Sequence, residues 1–472
     1  MTTLVSDLMD DIRRRFDEDA IPSLSEFIRI QNVSPAFDPK GESAPNTRAA
    51  LKHVSDWAIT HAPDGTSIDT LEIIENSPIL VIDIPGTTDT TVMCYGHLDK
   101  HPSDSEWSEG TSGYEPVLRN GKLFGRGGVD GGFAPYCYVT AMATLAQHEL
   151  KRPRCILFLE TTEKSASMYL PRYLPEVRKR FDEPSLIVLL ESICADYDRL
   201  WYMQGYRGVV EGTLSVNALA QPAHSGAAGL APTAIGIAFD LLSRVCNLST
   251  GLVTLDTLQA KSLGHITTGG AETDAIAARY FLDAAQVDRT IPGITDDLTA
   301  AAPMAVHKAG LSIAEIHGLR SGGMVGGTLP DEVSVNIAVR LPPEFDGIEA
   351  AANLEEALVS DPPLNARVEF IPSNISPGWH SGPLPAWLQQ SIDAASFDCF
   401  GNQAVGWRIG GAYLEIEILA QEFQATPILM TGIKGPKANF QSADESLDIA
   451  AAHKLTGAIA RILSDSAEQP RA

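Results

Sequence analysis

The apolar run TVMCYGHLD, residues 91–99, ends in Gly-His-x-Asp and so sets an imidazole at the tip of a strand, with a carboxylate two residues further on. There His97 could hold a metal ion through one ring nitrogen while Asp99 takes the N–H of the other, fixing tautomer and ring orientation. A strand-end histidine paired with an aspartate in a polar turn reads the same way, so other ligand-type residues must decide. NGKLFGRGGVDGG delivers Asp130 from a glycine-rich loop just ahead of the apolar, helix-like run Ala134 to Leu150. RCILFLETTEKSAS ends a second apolar strand in Glu160 and Glu163, and SLIVLLES ends a third in Glu191. Side chains of this kind at the ends of consecutive buried strands meet along one edge of an α/β sheet, where such folds carry their sites.

The elements that must position them alternate. Strand-like runs at Ile79 to Ile84, Thr91 to Tyr95, Cys155 to Glu160 and Leu186 to Leu190 are separated by helical stretches, an α/β layout that holds to about Arg207. From Gly208 the pattern changes to long alternating strands, VVEGTLSVNALAQ, EVSVNIAVRLPP and ARVEFIPSN, around a helical stretch from Pro232 to Val245. The Pro/Gly-rich stretch Ser373 to Pro385 returns the chain to α/β pattern, with a last strand in PILMTGIKG and a C-terminal helix from Leu447 to Leu463. The expected architecture is an α/β domain, a mixed sheet sandwiched by helices, formed by residues 1–207 with 378–472. An α+β domain, 208–377, is inserted into it.

In order and spacing these elements resemble the zinc aminoacylase, carboxypeptidase and carnosinase-type dipeptidase family. Its pattern is GHxD, GRGxxD, Glu-Glu, a strand-end Asp and a C-terminal His. The resemblance extends to GYRG at 205–208, AHSG at 223–226, AVRLPP at 338–343 and WRIGG at 407–411. It implies that the split part is catalytic and the insert a lid that dimerises. It also implies two ions sharing one aspartate, with the first Glu of the pair as general base. Carried over, His97 matches the strand-end His, Asp130 the shared Asp and Glu163 the base, with Asp99 behind His97. Glu191 falls at the Asp ligand, fourteen residues before the first glycine of GYRG. His224 matches the lid histidine that steadies an oxyanion, Arg340 and Arg408 match arginines for a substrate carboxylate, and Gly410 with Gly411 begins the substrate loop.

Two departures fall on one ion. Lys164 stands where the second Glu ligand belongs, and Gln441 stands at the C-terminal His. An ammonium and an amide do not make a zinc shell. One divalent ion, zinc, is therefore expected on His97, Asp130 and Glu191, with Lys164 in the vacated volume. Asp130, Glu163 and Glu191 then balance one lysine and one divalent ion. Two further changes bear on substrate: Gly131 and Gly132 replace Asp-Lys, and Gly410-Gly411-Ala412-Tyr413-Leu414 replaces Gly-Gly-Ser-Ile-Pro.

Composition narrows the class. A net charge of −25 over 472 residues lacks the basic footprint that nucleic acid or an anionic membrane surface requires. The six cysteines form no CxxC pair and read as reduced core thiols of a cytoplasmic chain. Neither a spanning helix nor a secretory signal is expected. The leading expectation is a metal-dependent hydrolase of an amide bond in a dipeptide or N-acyl amino acid, working as a homodimer on a small-molecule substrate. A non-hydrolytic biosynthetic enzyme using Glu163 and Lys164 in acid–base or acyl-transfer chemistry, and an inactive substrate-binding homologue, remain as alternatives.

Overall fold

The structure, a computed structural model, describes residues 2–259, 266–284, 287, 290, 306–318, 327–409 and 413–469. The chain forms two compact units: Met1–Met203 with Ser381–Gly406 and Tyr413–Ala472, and Gln204–His380 with Trp407–Ala412. Trp407 and Arg408, expected on the split α/β part, thus cluster with the second unit. Among the described residues no helix is long and apolar enough to cross a membrane.

The first unit is built on a mixed sheet of six strands. They run in the order Ser67–Leu71, Ile79–Ile84, Arg154–Glu160, Thr91–His97, Leu186–Leu189, Ile428–Met430. The first two are antiparallel to their neighbours and the last four are parallel to one another. Unbroken apolar runs such as CILFL and LIVL suit this interior, because a parallel strand is covered on both faces. The helix Phe133–Gln147 is buried from Phe133 through Leu145, as its all-round apolar sequence requires, and packs against the C-terminal helix Ile449–Ser466. That last helix begins later than the expected Leu447. Ser446–Asp448 is a short strand paired with Lys122–Phe124, and the Asp448 carboxylate caps the helix by accepting from the Ala451 N–H.

The second unit is a four-stranded antiparallel sheet in the order Gly310–His317, Glu332–Leu341, Gly208–Asn217, Arg367–Ser376. Glu332–Leu341 alternates strictly between buried and part-exposed residues, the period-two signature of a sheet with one covered face. The helices Ala234–Ser243 and Gly347–Val359 provide that cover.

In the first unit, the C-terminal ends of the parallel strands carry His97, Glu160, Glu191 and Lys434. Met430 lies opposite Leu189, the Thr431 N–H donates to the Leu189 carbonyl, and the Ser192 N–H donates to the Thr431 carbonyl. Gly432 sits inside this junction, where an added Cβ would meet the Ser192 carbonyl oxygen at 2.1 Å. Backbone atoms cannot swing away as a side chain can. Gly432→Ala should therefore destabilise the protein by at least about 1–3 kcal/mol, as overpacking does, read as a fall in the thermal unfolding midpoint. An unchanged midpoint would mean the two strand ends are not in this close contact.

Candidate metal centre and active site

His97, Asp130 and Glu191 each offer a ligand atom within 4.8 Å of the others, and all three residues are buried. Each comes from a different part of the chain: the end of one parallel strand, the glycine-rich loop, and the end of the next strand. Gly131, the first of the two glycines after Asp130, has φ +95° and approaches so closely that a Cβ would lie 2.5 Å from His97 Cε1. The loop can therefore bring Asp130 to the imidazole only with glycine at this place.

The loop is held from the far end of the chain. The Arg126 guanidinium donates to Glu445 Oε2 at 2.5 Å, and Glu445 Oε1 accepts from the backbone N–H groups of Gly127 at 2.9 Å and Asp130 at 3.3 Å. Both side chains are at most 2% exposed, so this is a buried, hydrogen-bonded ion pair of the kind that fixes geometry.

Asp99 serves the site differently from expectation. Its backbone carbonyl, not its carboxylate, takes the closer contact with His97 Nδ1, at 3.0 Å, while carboxylate Oδ1 stands at 3.4 Å. The carboxylate instead accepts the backbone N–H of Glu163 at 3.1 Å and of Lys164 at 2.8 Å. It thereby fixes the short turn Glu163–Ser165 that carries the expected base.

Glu163 Oε2 lies 3.6 Å from His97 Nε2 and 2.6 Å from Lys164 Nζ, whose ammonium also stands 3.0 Å from Asp130. The expected charge count omitted a second ammonium. Lys434 Nζ, at the end of the last strand, lies 2.5 Å from Asp130 Oδ1 and 2.7 Å from Glu191 Oε2. Asp130 is thus held by two buried lysines, each 3–4% exposed. Gln441, placed by spacing at a former ligand, is exposed. Its neighbour Phe440 sets its ring 5.8 Å from the Lys434 ammonium.

These charges govern one another's protonation in the absence of an ion. Burial raises the Asp130 carboxyl, but Lys164 and Lys434 outweigh it and hold the group well below its usual range. Glu191 is likewise opposed by burial and lowered by Lys434 and His97, to about 2. Burial and Lys164 work against an imidazolium at His97, yet Glu191, Glu163 and Asp130 keep its pKa well above the ordinary histidine value. Burial works against both ammoniums, and the carboxylates raise both lysines above their normal value, Asp130 first. Three cations, His97, Lys164 and Lys434, therefore stand among the carboxylates of Asp99, Asp130, Glu163 and Glu191.

A divalent ion nevertheless has a donor set here. His97 Nε2 and Glu191 Oε1 are buried without a hydrogen-bond partner, and with Asp130 they make one nitrogen and two carboxylates, a combination suited to zinc. At the other place, beside Lys164, the carboxylates paired with the ammonium among the described residues are Asp130 and Glu163.

The remaining expected residues lie in the second unit. His224 is exposed, its Nδ1 accepting from the Gly226 N–H at 3.0 Å. Arg340 is half-buried near Arg207, whose guanidinium is lowered to about 10 by burial and by Arg340. Arg408 pairs with Glu344 at 3.3 Å. Gly410 and Gly411 lie outside the described residues.

Glu415, on the helix Leu414–Glu422, went unremarked in the sequence although acidic residues are rarely buried. It is 2% exposed, and burial, with Glu163 next, raises its pKa to about 8. A carboxyl raised in the fold contributes stability fully below its unfolded pKa, near 4.5, and loses it as pH climbs through about 8. Glu415→Gln should therefore leave the thermal midpoint of chelator-treated protein nearly unchanged at pH 5 and raise it at pH 8. An equal effect at both values would show that Glu415 ionises normally.

No protein-family model matches the chain. Over 117 residues it is 32% identical to an uncharacterized metallohydrolase of Methanocaldococcus jannaschii, covering 24% of this chain and 28% of that one. Over 170 residues it is 27% identical to the Beta-Ala-His dipeptidase of Mus musculus, covering 35% of this chain and 33% of the relative. The chain thus spans about a third or less of the length of these relatives. Among solved structures, human carnosine dipeptidase 1 superposes with a TM-score of 0.71 at 17% identity, covering 99% of each chain. The di-peptidase Dug1p from Saccharomyces cerevisiae gives 0.70 at 17% identity over 100% of each. The M20 family metallo-carboxypeptidase Sso-CP2 from Sulfolobus solfataricus gives 0.70 at 15%, over 95% of this chain and 99% of that one. The resemblance read from the motifs is borne out: this chain has the fold of dipeptidases and carboxypeptidases of the M20 type, and its relatives by sequence include dipeptidases and a metallohydrolase.

Proposed function

We propose that this protein is a metal-dependent hydrolase of an amide bond in a small amino-acid-like substrate, a dipeptide or an N-acyl amino acid. The observation that carries the reading is the buried His97, Asp130 and Glu191 donor set with the Glu163 carboxylate beside it. The sequence and fold likeness to dipeptidases supports it.

His97, Asp130 and Glu191 would hold one divalent ion, zinc being the ion such donors favour. Bound there, it supplies Lewis acidity toward the substrate carbonyl and lowers the pKa of water. Glu163 takes the proton of the attacking water and passes it to the leaving amine. The Lys164 ammonium, 2.6 Å from Glu163, holds that carboxylate in one place and offers a positive charge where negative charge develops on the carbonyl oxygen. His224 is assigned the same oxyanion role from the second unit. Arg340, with Arg207 near it, supplies a pair of guanidiniums that have no carboxylate partner among the described residues and suit a substrate carboxylate. We assign the second unit as a lid that also forms a homodimer. A cytoplasmic location is supported by the six free cysteines.

Glu163→Gln removes the base but none of the three ligands. It should lower kcat by about 10²–10⁴-fold on any dipeptide or N-acyl amino acid the parent hydrolyses, with metal content unchanged by elemental analysis. Turnover close to the parent's would assign the proton transfer to another group.

A further inference from the structure

The lysine at the end of the last parallel strand has no part in the chemistry derived above, yet it occupies the most consequential position in the cluster. We propose that Lys434 is a built-in cation that holds the ion's place on Asp130 and Glu191, so that this chain takes up metal by exchanging an ammonium rather than by filling an open shell. The inference rests on reading His97, Asp130 and Glu191 as an ion's donor set.

The geometry argues for exchange. Lys434 Nζ contacts two of the three ligands, at 2.5 and 2.7 Å, while His97 Nε2 and Glu191 Oε1 have no hydrogen-bond partner. An ion drawing on the same Asp130 and Glu191 oxygens cannot share them with an ammonium at hydrogen-bond distance, because two like charges would then face each other across a buried, weakly screening site. The backbone does not let the lysine's stem drift: the Cys194 N–H donates to the Lys434 carbonyl at 3.3 Å, and the Ile193 and Lys434 backbones form a parallel bridge. What can move is the four-carbon side chain, past the half-buried ring of Phe440.

The two lysines on Asp130 are not equivalent. Once Lys434 leaves, an imidazole and two carboxylates remain around the place it held. Were Lys164 to leave, Asp130 and Glu163 would remain beside its place, and among the described residues they belong to no second convergent group of three ligand-type side chains. Exchange is therefore assigned to Lys434 alone, while Lys164 stays as a permanent counter-charge.

The test is a zinc titration of the full chain at one fixed pH, by equilibrium dialysis with elemental analysis and by the thermal midpoint with and without zinc. It compares the parent with Lys434→Met, Lys434→Gln and Lys164→Met. Both Lys434 variants should bind one zinc per chain on the order of 100-fold more tightly than the parent and gain more thermal stability from zinc, since a competing charge at contact distance has been removed. Lys164→Met, which frees Asp130 but not Glu191, should gain clearly less. Lys434→Gln keeps a hydrogen-bond donor for the two carboxylates, so a poorly folded Lys434→Met does not void the comparison. Zinc affinity unchanged in both Lys434 variants, or raised equally by Lys164→Met, would overturn the proposal. Tighter zinc binding without hydrolysis of any amide would instead overturn the proposed hydrolase function and leave the exchange intact.

Discussion

The interaction on which this site depends is the grip of two buried ammoniums on a single carboxylate. Asp130 is 3% exposed, and a lone ionised carboxylate so placed would be strongly disfavoured or would take up a proton. Lys164 and Lys434 remove that penalty from two sides, and each reaches a second carboxylate as well, Glu163 and Glu191 respectively. Asp130 and Glu191 are therefore held as anions by side chains of the protein itself. An ion drawing on the same carboxylate oxygens must compete with these ammoniums.

The fold supplies this arrangement through strand order. His97, Glu191 and Lys434 stand at or just beyond the ends of three adjacent parallel strands, and parallel register brings those ends to one edge of the sheet. Asp130 comes from a loop instead, and its position is borrowed from Glu445, which accepts the Asp130 N–H while paired with Arg126. The apolar interior of the sheet makes this edge stiff, since strands such as Cys155–Leu159 and Leu186–Leu189 are wholly buried. Neighbouring groups extend the same low-polarity environment: burial raises Glu160, hydrogen-bonded to Tyr95 at 2.5 Å, to about 7.

Much of this was legible in the residues. Strand-end His97 and Glu191 and loop-borne Asp130 could be read because uninterrupted apolar runs mark buried parallel strands and a polar residue directly after one sits on the sheet edge. Lys164 was legible from its place beside Glu163. Lys434 was not. It lies within the expected last strand PILMTGIKG with nothing in that run to mark it, and its neighbour Glu191 is 243 residues away in sequence. Only the sheet order, which sets Ile428–Met430 beside Leu186–Leu189, brings the two together. Gln441 is exposed, and its neighbour Phe440 sets its ring 5.8 Å from the Lys434 ammonium, a contact spacing does not show. Asp99 meets the His97 ring through its backbone carbonyl at 3.0 Å and its carboxylate at 3.4 Å, and the carboxylate also holds the Glu163 turn, a second task that spacing alone does not reveal.

The central claim is that one ion place can be opened in this cluster and the other cannot. Anomalous diffraction at the zinc edge, from crystals of the unaltered protein soaked in zinc, reads both places at once. The account predicts one zinc peak, among His97, Asp130 and Glu191, with the Lys434 side chain moved off Asp130 and the Lys164 ammonium still between Asp130 and Glu163. Two zinc peaks flanking Asp130, or a single peak with Lys434 still in contact with Asp130 and Glu191, would contradict it.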